Sequence, residues 1–151
     1  MSWSDRLTEL GIELSTPAPP LAAYVPASRT GNLVYTSGQL PMVAGKLVAT
    51  GKVGSDVSQE KGRELARACA LNALAAVHGL VGINAVVKVV KVVGFVASAP
   101  GFTGQPAVVN GASELFGEVF GDAGAHARSA VGVAELPLGA PVEVEIIVEI
   151  G

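Results

Sequence analysis

The run that most constrains this chain is its C-terminal PVEVEIIVEI. Val142, Val144, Ile146, Val148 and Ile150 alternate there with Glu143, Glu145, Ile147 and Glu149. Successive side chains of a strand point to opposite sides, so a period of two describes a strand with one apolar face. A helix would scatter the same residues around its circumference. The chain must therefore build a sheet whose one face is covered and whose other face carries carboxylates.

Two upstream segments have the spacing to cover it. SDVSQEKGRELARACALNALAAVHGLVG reads as a helix capped by Asp56 or Ser58, with Leu65, Cys69, Ala73, Ala76 and Val77 on one stripe and Gly79 and Gly82 ending it. QPAVVNGASELFGEVFG reads as a second, with Pro106 in its first turn, Val109, Ala112, Phe116 and Val119 inward, and Gly121 as its stop. Between them NAVVKVVKVVGFVAS is a long β-branched strand, in which Lys88 and Lys91 face opposite sides unless a bulge intervenes. NLVYTSG and KLVATG read as two strands with a turn near Ala44-Gly45. A short amphipathic helix, WSDRLTEL, precedes them, followed by STPAPPLAAYVPAS, too proline-rich to be helical throughout. The order ββαβαββ predicts an α+β sandwich with helices on one sheet face.

At 151 residues the chain is expected to be one domain, 1–151, with residues 1–20 an N-terminal extension bearing the short helix. Half of it is hydrophobic, 15% is charged and the mean hydropathy is +0.50. That is apolar for a soluble monomer and predicts contact with another subunit. A net charge of −3 and the lack of any Lys/Arg cluster argue against nucleic acid as a partner. Cys69 is the single cysteine, which excludes an internal disulfide or CxxC site and reads as a buried, inert thiol. Residues 68–87 carry no charge, yet Asn72, His78, Gly79, Gly82 and Asn84 within an alanine-rich stretch fit a helix followed by a strand better than a membrane span. The start, MSWSDRLTELG, lacks the basic and apolar regions of a signal peptide, so a cytoplasmic location is expected.

The segment HARSAVGVAELPLGAPVEVEIIVEI carries the chemistry. Its PLGA has hairpin length. Pairing Leu136 with Pro141 would set Glu143 opposite Ala134, Glu145 opposite Gly132, Ile147 opposite Ala130 and Glu149 opposite Arg128. Arg128 and three glutamates would then share one face with a floor of small residues, and Val131 and Val133 the other; a one-residue slip would invert this. Arg128 beside that floor has room for a small anion, or it forms a cross-strand ion pair with Glu149, worth little if exposed. His126 precedes the strand and reads as a turn residue without an evident partner.

YTSGQLP, VNGASELF and HARSAVGVAELPLGAPVEVEII, in that order, resemble the YjgF/RidA family, the reactive-intermediate deaminases also labelled endoribonuclease L-PSP. The resemblance runs from about Tyr24 to the C-terminus. The N-terminal helix, the HARSAVG form and a longer central loop mark a divergent branch. It implies a chorismate-mutase-like α+β fold: a mixed, mostly antiparallel sheet with two main helices on one face. It further implies a homotrimer whose sheets enclose a barrel, with ligand clefts between subunits. Arg128 then matches the arginine that clamps a substrate carboxylate, which a guanidinium can grip with two parallel bonds. Glu143 matches the glutamate that positions or activates water. Tyr24, Ser37, Gly38 and Asn110 match cleft residues that contact the ligand. From the residues alone these positions read equally as an interface aromatic, a strand-end hydroxyl, a helix polar residue and one of a solvated row of glutamates. Ala130 stands where better-studied members carry cysteine, which removes a thiol and widens the pocket.

The implied activity is hydrolysis of a 2-imino acid or enamine to a 2-oxo acid and ammonia, with a small carboxylate-bearing metabolite as ligand and with no metal or organic cofactor. A non-catalytic trimer that binds a small carboxylate is the alternative. Ribonuclease activity has only the family label behind it, against an acidic chain without a histidine pair for acid–base work.

Overall fold

The structure, a computed structural model, describes residues 1–16 and 23–151. Helix α1 (Trp3–Glu9) opens on a capping box, the Ser2 hydroxyl accepting from the Asp5 amide and the Asp5 carboxylate from the Ser2 amide. So short a helix is not stable alone, and docking holds it. The Trp3 indole donates to the Val86 carbonyl at 2.7 Å, its ring meets Phe120 edge-on at 5.1 Å, and Leu7 is buried. Residues 17–22 of the proline-rich stretch that follows lie outside the described residues.

Strands β1 (Ala27–Thr30), β2 (Leu33–Thr36), β5 (Val86–Ala97), β6 (Ala127–Val133) and β7 (Val142–Ile150) form one sheet in the order β1-β2-β7-β5-β6. Every pairing is antiparallel except β5 with β6, which is parallel. Strands β3 (Met42–Val43) and β4 (Lys46–Leu47) make a separate two-stranded hairpin, turning at Ala44 and Gly45 with φ of 53° and 78°. Helices α2 (Gln59–Val81) and α3 (Gln105–Phe120) pack on each other and cover one face of the large sheet. The alternation in β7 is realised as expected: its even-numbered residues are buried and its odd-numbered ones half-buried.

The helices follow their patterns, with one correction, at Gly79. Ser58, not Asp56, caps α2, accepting from the Lys61 amide at 3.1 Å. Gly79 lies inside α2, and Gly82, at φ 80°, ends it while the His78 Nδ1 accepts from the Ile83 amide. The predicted apolar stripes of both helices are buried. Cys69 sits in this core with its Sγ 3.6 Å from the Val142 carbonyl, and burial pushes its thiol pKa up, so it is inert packing. Helix α2 is long and apolar enough to cross a membrane, but half of its most apolar window is packed inside the protein.

The expected hairpin of β6 with β7 does not form. Strand β5 lies between them: Val92 is opposite both Arg128 and Ile146, and Phe95 is opposite both Val131 and Glu143. The Ala97 amide donates to the Pro141 carbonyl and the Ser98 amide to the Val133 carbonyl, so the end of β5 is clasped by the connection. Residues 134–141 have ample length for two inter-strand spacings, about 10 Å. The parity slip follows. Arg128, Ala130 and Gly132 align with Val92, Gly94 and Val96 on the helix-covered face, and Ser129, Val131 and the odd-numbered residues of β7 occupy the other. Glu149 stands opposite Lys88 and Leu33, so it makes no cross-strand pair with Arg128.

A bulge also settles the lysines. The register shifts between Val89 and Lys91, so Lys88 and Lys91 pair with Glu149 and Ile147, both on the helix-free face.

Candidate functional site

Arg128 is placed by the seat of α3 on the sheet. A Cβ on Gly94 would come within 2.7 Å of Val109 Cγ1, so the missing side chain lets α3 lie close over β5. The next residue along, Asn110, then reaches the edge strand. Arg128 Nη1 donates to Asn110 Oδ1 at 2.8 Å and to Ser113 Oγ at 3.2 Å. Nε and Nη2 have no acceptor among the described residues. These two atoms form the side-on fork of a guanidinium, the geometry that takes a carboxylate with two parallel bonds. Charge separates this arginine from others on the helices: Arg6, Arg63 and Arg67 pair with Glu9, Glu114 and Glu118, whereas Arg128 is held by neutral acceptors. Its positive charge remains available to an anion.

His126 is not partnerless, as the sequence suggested. Its Nε2 lies 2.8 Å from Ser113 Oγ, its Nδ1 lies 2.6 Å from the Gly124 carbonyl, and its ring meets Phe116 edge-on at 5.9 Å. Ser113 was not among the expected site residues. The signal for it was available: Asn110 and Ser113 are three apart on a helix and so share a face.

Glu143 stands in a second group on the helix-free face. The β2–β7 ladder runs to Tyr35 opposite Ile147 and then breaks, with the Thr36 hydroxyl accepting from the Ile146 amide at 3.0 Å. Pairing resumes at Gln39 with Val144. Ser37 and Gly38 occupy the break. A Cβ on Gly38 would lie 2.8 Å from Glu143 Cδ, so the absent side chain is what lets the carboxyl sit against this loop. The Ser37 hydroxyl donates to the Val25 carbonyl at 2.6 Å and its amide to the Pro26 carbonyl, tying down the segment that presents Tyr24, which is 57% exposed. Burial, and secondarily the charge of Glu145, raise the pKa of Glu143 above its ordinary value near 4.5.

The chain thus joins Arg128 with Asn110, and Glu143 with Ser37 and Gly38, but keeps the two groups on opposite faces of the sheet. Among the described residues no three of His, Cys, Asp and Glu are arranged to hold a metal ion.

Two expected outcomes follow. Gly38 does not have a positive φ, so Gly38→Ala introduces no backbone strain and acts through the carboxyl it displaces. Any activity that depends on the placement of the Glu143 carboxyl should fall about tenfold or more, with the melting temperature little changed. Glu143→Gln should melt above the wild type at neutral pH. The folded state holds this proton more tightly than the unfolded chain, so the stability linked to it is present below about pH 4.5 and lost as pH rises through the raised folded value. The gap between variant and wild type should therefore close on acidification, as calorimetric melts at several pH values would read.

Residues 15–150 match the family model described as endoribonuclease L-PSP. The chain is 44% identical over 147 residues to Protein TCP17 of Trypanosoma cruzi, covering 96% of this chain and 92% of that protein. It is 37% identical over 140 residues to a 2-iminobutanoate/2-iminopropanoate deaminase of Dermatophagoides farinae, covering 91% and 94% of the two chains. The crystal structure of an Agrobacterium tumefaciens protein of unknown function superposes with a TM-score of 0.91 at 46% identity, over 99% of this chain and 92% of that one. The chain belongs to the endoribonuclease L-PSP family, the YjgF family, and has its fold.

Proposed function

We propose that the protein hydrolyses 2-imino acids to 2-oxo acids and ammonia, as a homotrimer with its sites between subunits. The observation that carries this reading is the guanidinium of Arg128, fixed through Nη1 and left with its Nε–Nη2 fork unengaged. A substrate carboxylate on that fork would be oriented as well as bound. Glu143 is the proposed base. It takes a proton as water adds to the carbon of the protonated imine (C=NH2+), forming the C–O bond while the C=N π pair becomes the lone pair of an amine. Returned to nitrogen, that proton makes ammonia the leaving group as the carbonyl forms, and the hydroxyl proton leaves with it as ammonium. A carboxyl with a raised pKa suits both directions of transfer. The 37% identical relative that bears the deaminase name supports the chemistry.

The trimer is part of the proposal because Arg128 and Glu143 face away from each other within one chain. Serving one ligand, they would come from different copies. The helix-free face, with Tyr35 and Val131 exposed on it, is then the inter-subunit surface.

The test generates 2-iminobutanoate in solution with a threonine dehydratase and follows its decay, with light scattering on the same sample. Accelerated decay and the mass of three chains are expected. A stable monomer at micromolar concentration would refute the assembly. Unaccelerated decay with retained binding of 2-oxobutanoate would favour a carboxylate-binding trimer, the reading to which Ala130 lends weight in place of the cysteine of better-studied members.

A further inference from the structure

We infer that Ser113 and His126 are positioning residues for Arg128, joined to it by a one-way chain of hydrogen bonds that starts in the core. The inference rests on the reading of Arg128 as the carboxylate clamp. A carbonyl oxygen can only accept, so the 2.6 Å contact with Gly124 puts the proton of His126 on Nδ1. In the neutral Nδ1–H tautomer Nε2 carries a lone pair, and the Ser113 hydroxyl at 2.8 Å donates to it. With its one hydrogen committed there, Ser113 Oγ is left as an acceptor, and Arg128 Nη1 donates to it at 3.2 Å. The second Nη1 hydrogen goes to Asn110 Oδ1 at 2.8 Å. Both hydrogens are thus held from one face of α3, which fixes the plane of the guanidinium and the direction of its open fork.

The far end of the chain is packed in place. Gly124 and Phe116 are buried, a Cβ on Gly124 would run into the Phe116 carbonyl, and the Phe116 ring stands edge-on to the imidazole. Without the imidazole the Ser113 hydroxyl would rotate, and in some rotamers its hydrogen would point at the arginine. His126 therefore acts on the ligand through Ser113 and not by proton transfer.

The experiment measures 2-oxobutanoate binding by calorimetry and steady-state kinetics for Ser113→Ala, Ser113→Thr, His126→Phe, the Ser113→Ala/His126→Phe double variant and Arg128→Ala. Loss of one hydrogen bond that orients the guanidinium without touching the ligand should weaken binding about three- to tenfold. This should appear in KM with kcat nearly unchanged, and threonine should restore it. The double variant should be no worse than Ser113→Ala, because the histidine has no route around the serine. Nitrogen NMR of the wild type should show the Nδ1–H tautomer of His126, a readout that needs no variant to fold. An Nε2–H tautomer, additive losses, or wild-type binding in Ser113→Ala while Arg128→Ala loses it would overturn the inference alone. Wild-type binding in Arg128→Ala would overturn the clamp on which it rests.

Discussion

Replacing Arg128 by lysine is expected to lower kcat/KM for imine hydrolysis roughly ten- to a hundredfold, and replacement by alanine at least as much. Lysine keeps the charge but has no fork. It offers a carboxylate one point contact where the Nε–Nη2 edge offers two parallel bonds. A charge-assisted hydrogen bond is worth about 1.5–3 kcal/mol, and each 1.36 kcal/mol is a decade in rate. Lysine also gives up the two Nη1 bonds to Asn110 and Ser113, so its ammonium is less well oriented. Stability should change little, because no carboxylate of the chain relies on Arg128 among the described residues and its neighbours Ala130 and Gly132 on that face are already small. The measurement is the dehydratase-coupled assay on variants whose melting curve and mass match the wild type. Near-wild-type turnover in a folded Arg128→Ala protein would end the assignment of this site.

The limits of the sequence reading have a common physical origin. A period of two fixes which side chains of one strand share a face, and that made the buried and half-buried sides of β7 legible down to single residues. It says nothing of the phase between two strands, which depends on what joins them. PLGA looked like a hairpin turn, and a strand inserted between β6 and β7 leaves no trace in the loop it passes. Parallel pairing of β5 with β6 has no turn signature at all. Arg128 was therefore legible as a residue but assigned to the wrong face. Strand β1 went unseen because Ala27–Thr30 is short and exposed at three of its four positions, with too little apolar alternation to register. Lys88 and Lys91 share a face only because of a bulge. Ser113 and His126 meet through the packing of α3 on the turn after it, a contact that neither segment encodes alone.

The same packing makes the sharpest stability prediction, a pair of identical substitutions on one helix with opposite signs. Gly111 faces α2, where a Cβ would run into the main-chain carbonyl of Arg63. Nearby, Gly62 of α2 has a Cβ position only 3.3 Å from the Val108 methyls, so both helices use a glycine at their crossing. Backbone cannot rotate aside as a side-chain tip can, so Gly111→Ala must push α3 away from α2. Overpacking of this kind costs about 1–3 kcal/mol, more than the 0.5–1 kcal/mol that alanine gains over glycine inside a helix. At about 2–4 °C per kcal/mol for a chain of this length, the melting temperature should fall by several degrees. The displaced helix carries Asn110 and Ser113 with it, so carboxylate binding should weaken too. Gly117 lies six residues further along the same helix, exposed, with no heavy atom within 4 Å of its Cβ position and no positive φ. There alanine keeps its conformational advantage unopposed, and Gly117→Ala should raise the melting temperature by a degree or more. Parallel thermal melts decide the matter. Two upward shifts would show that helix propensity, and not the close approach of α2 and α3, governs these positions.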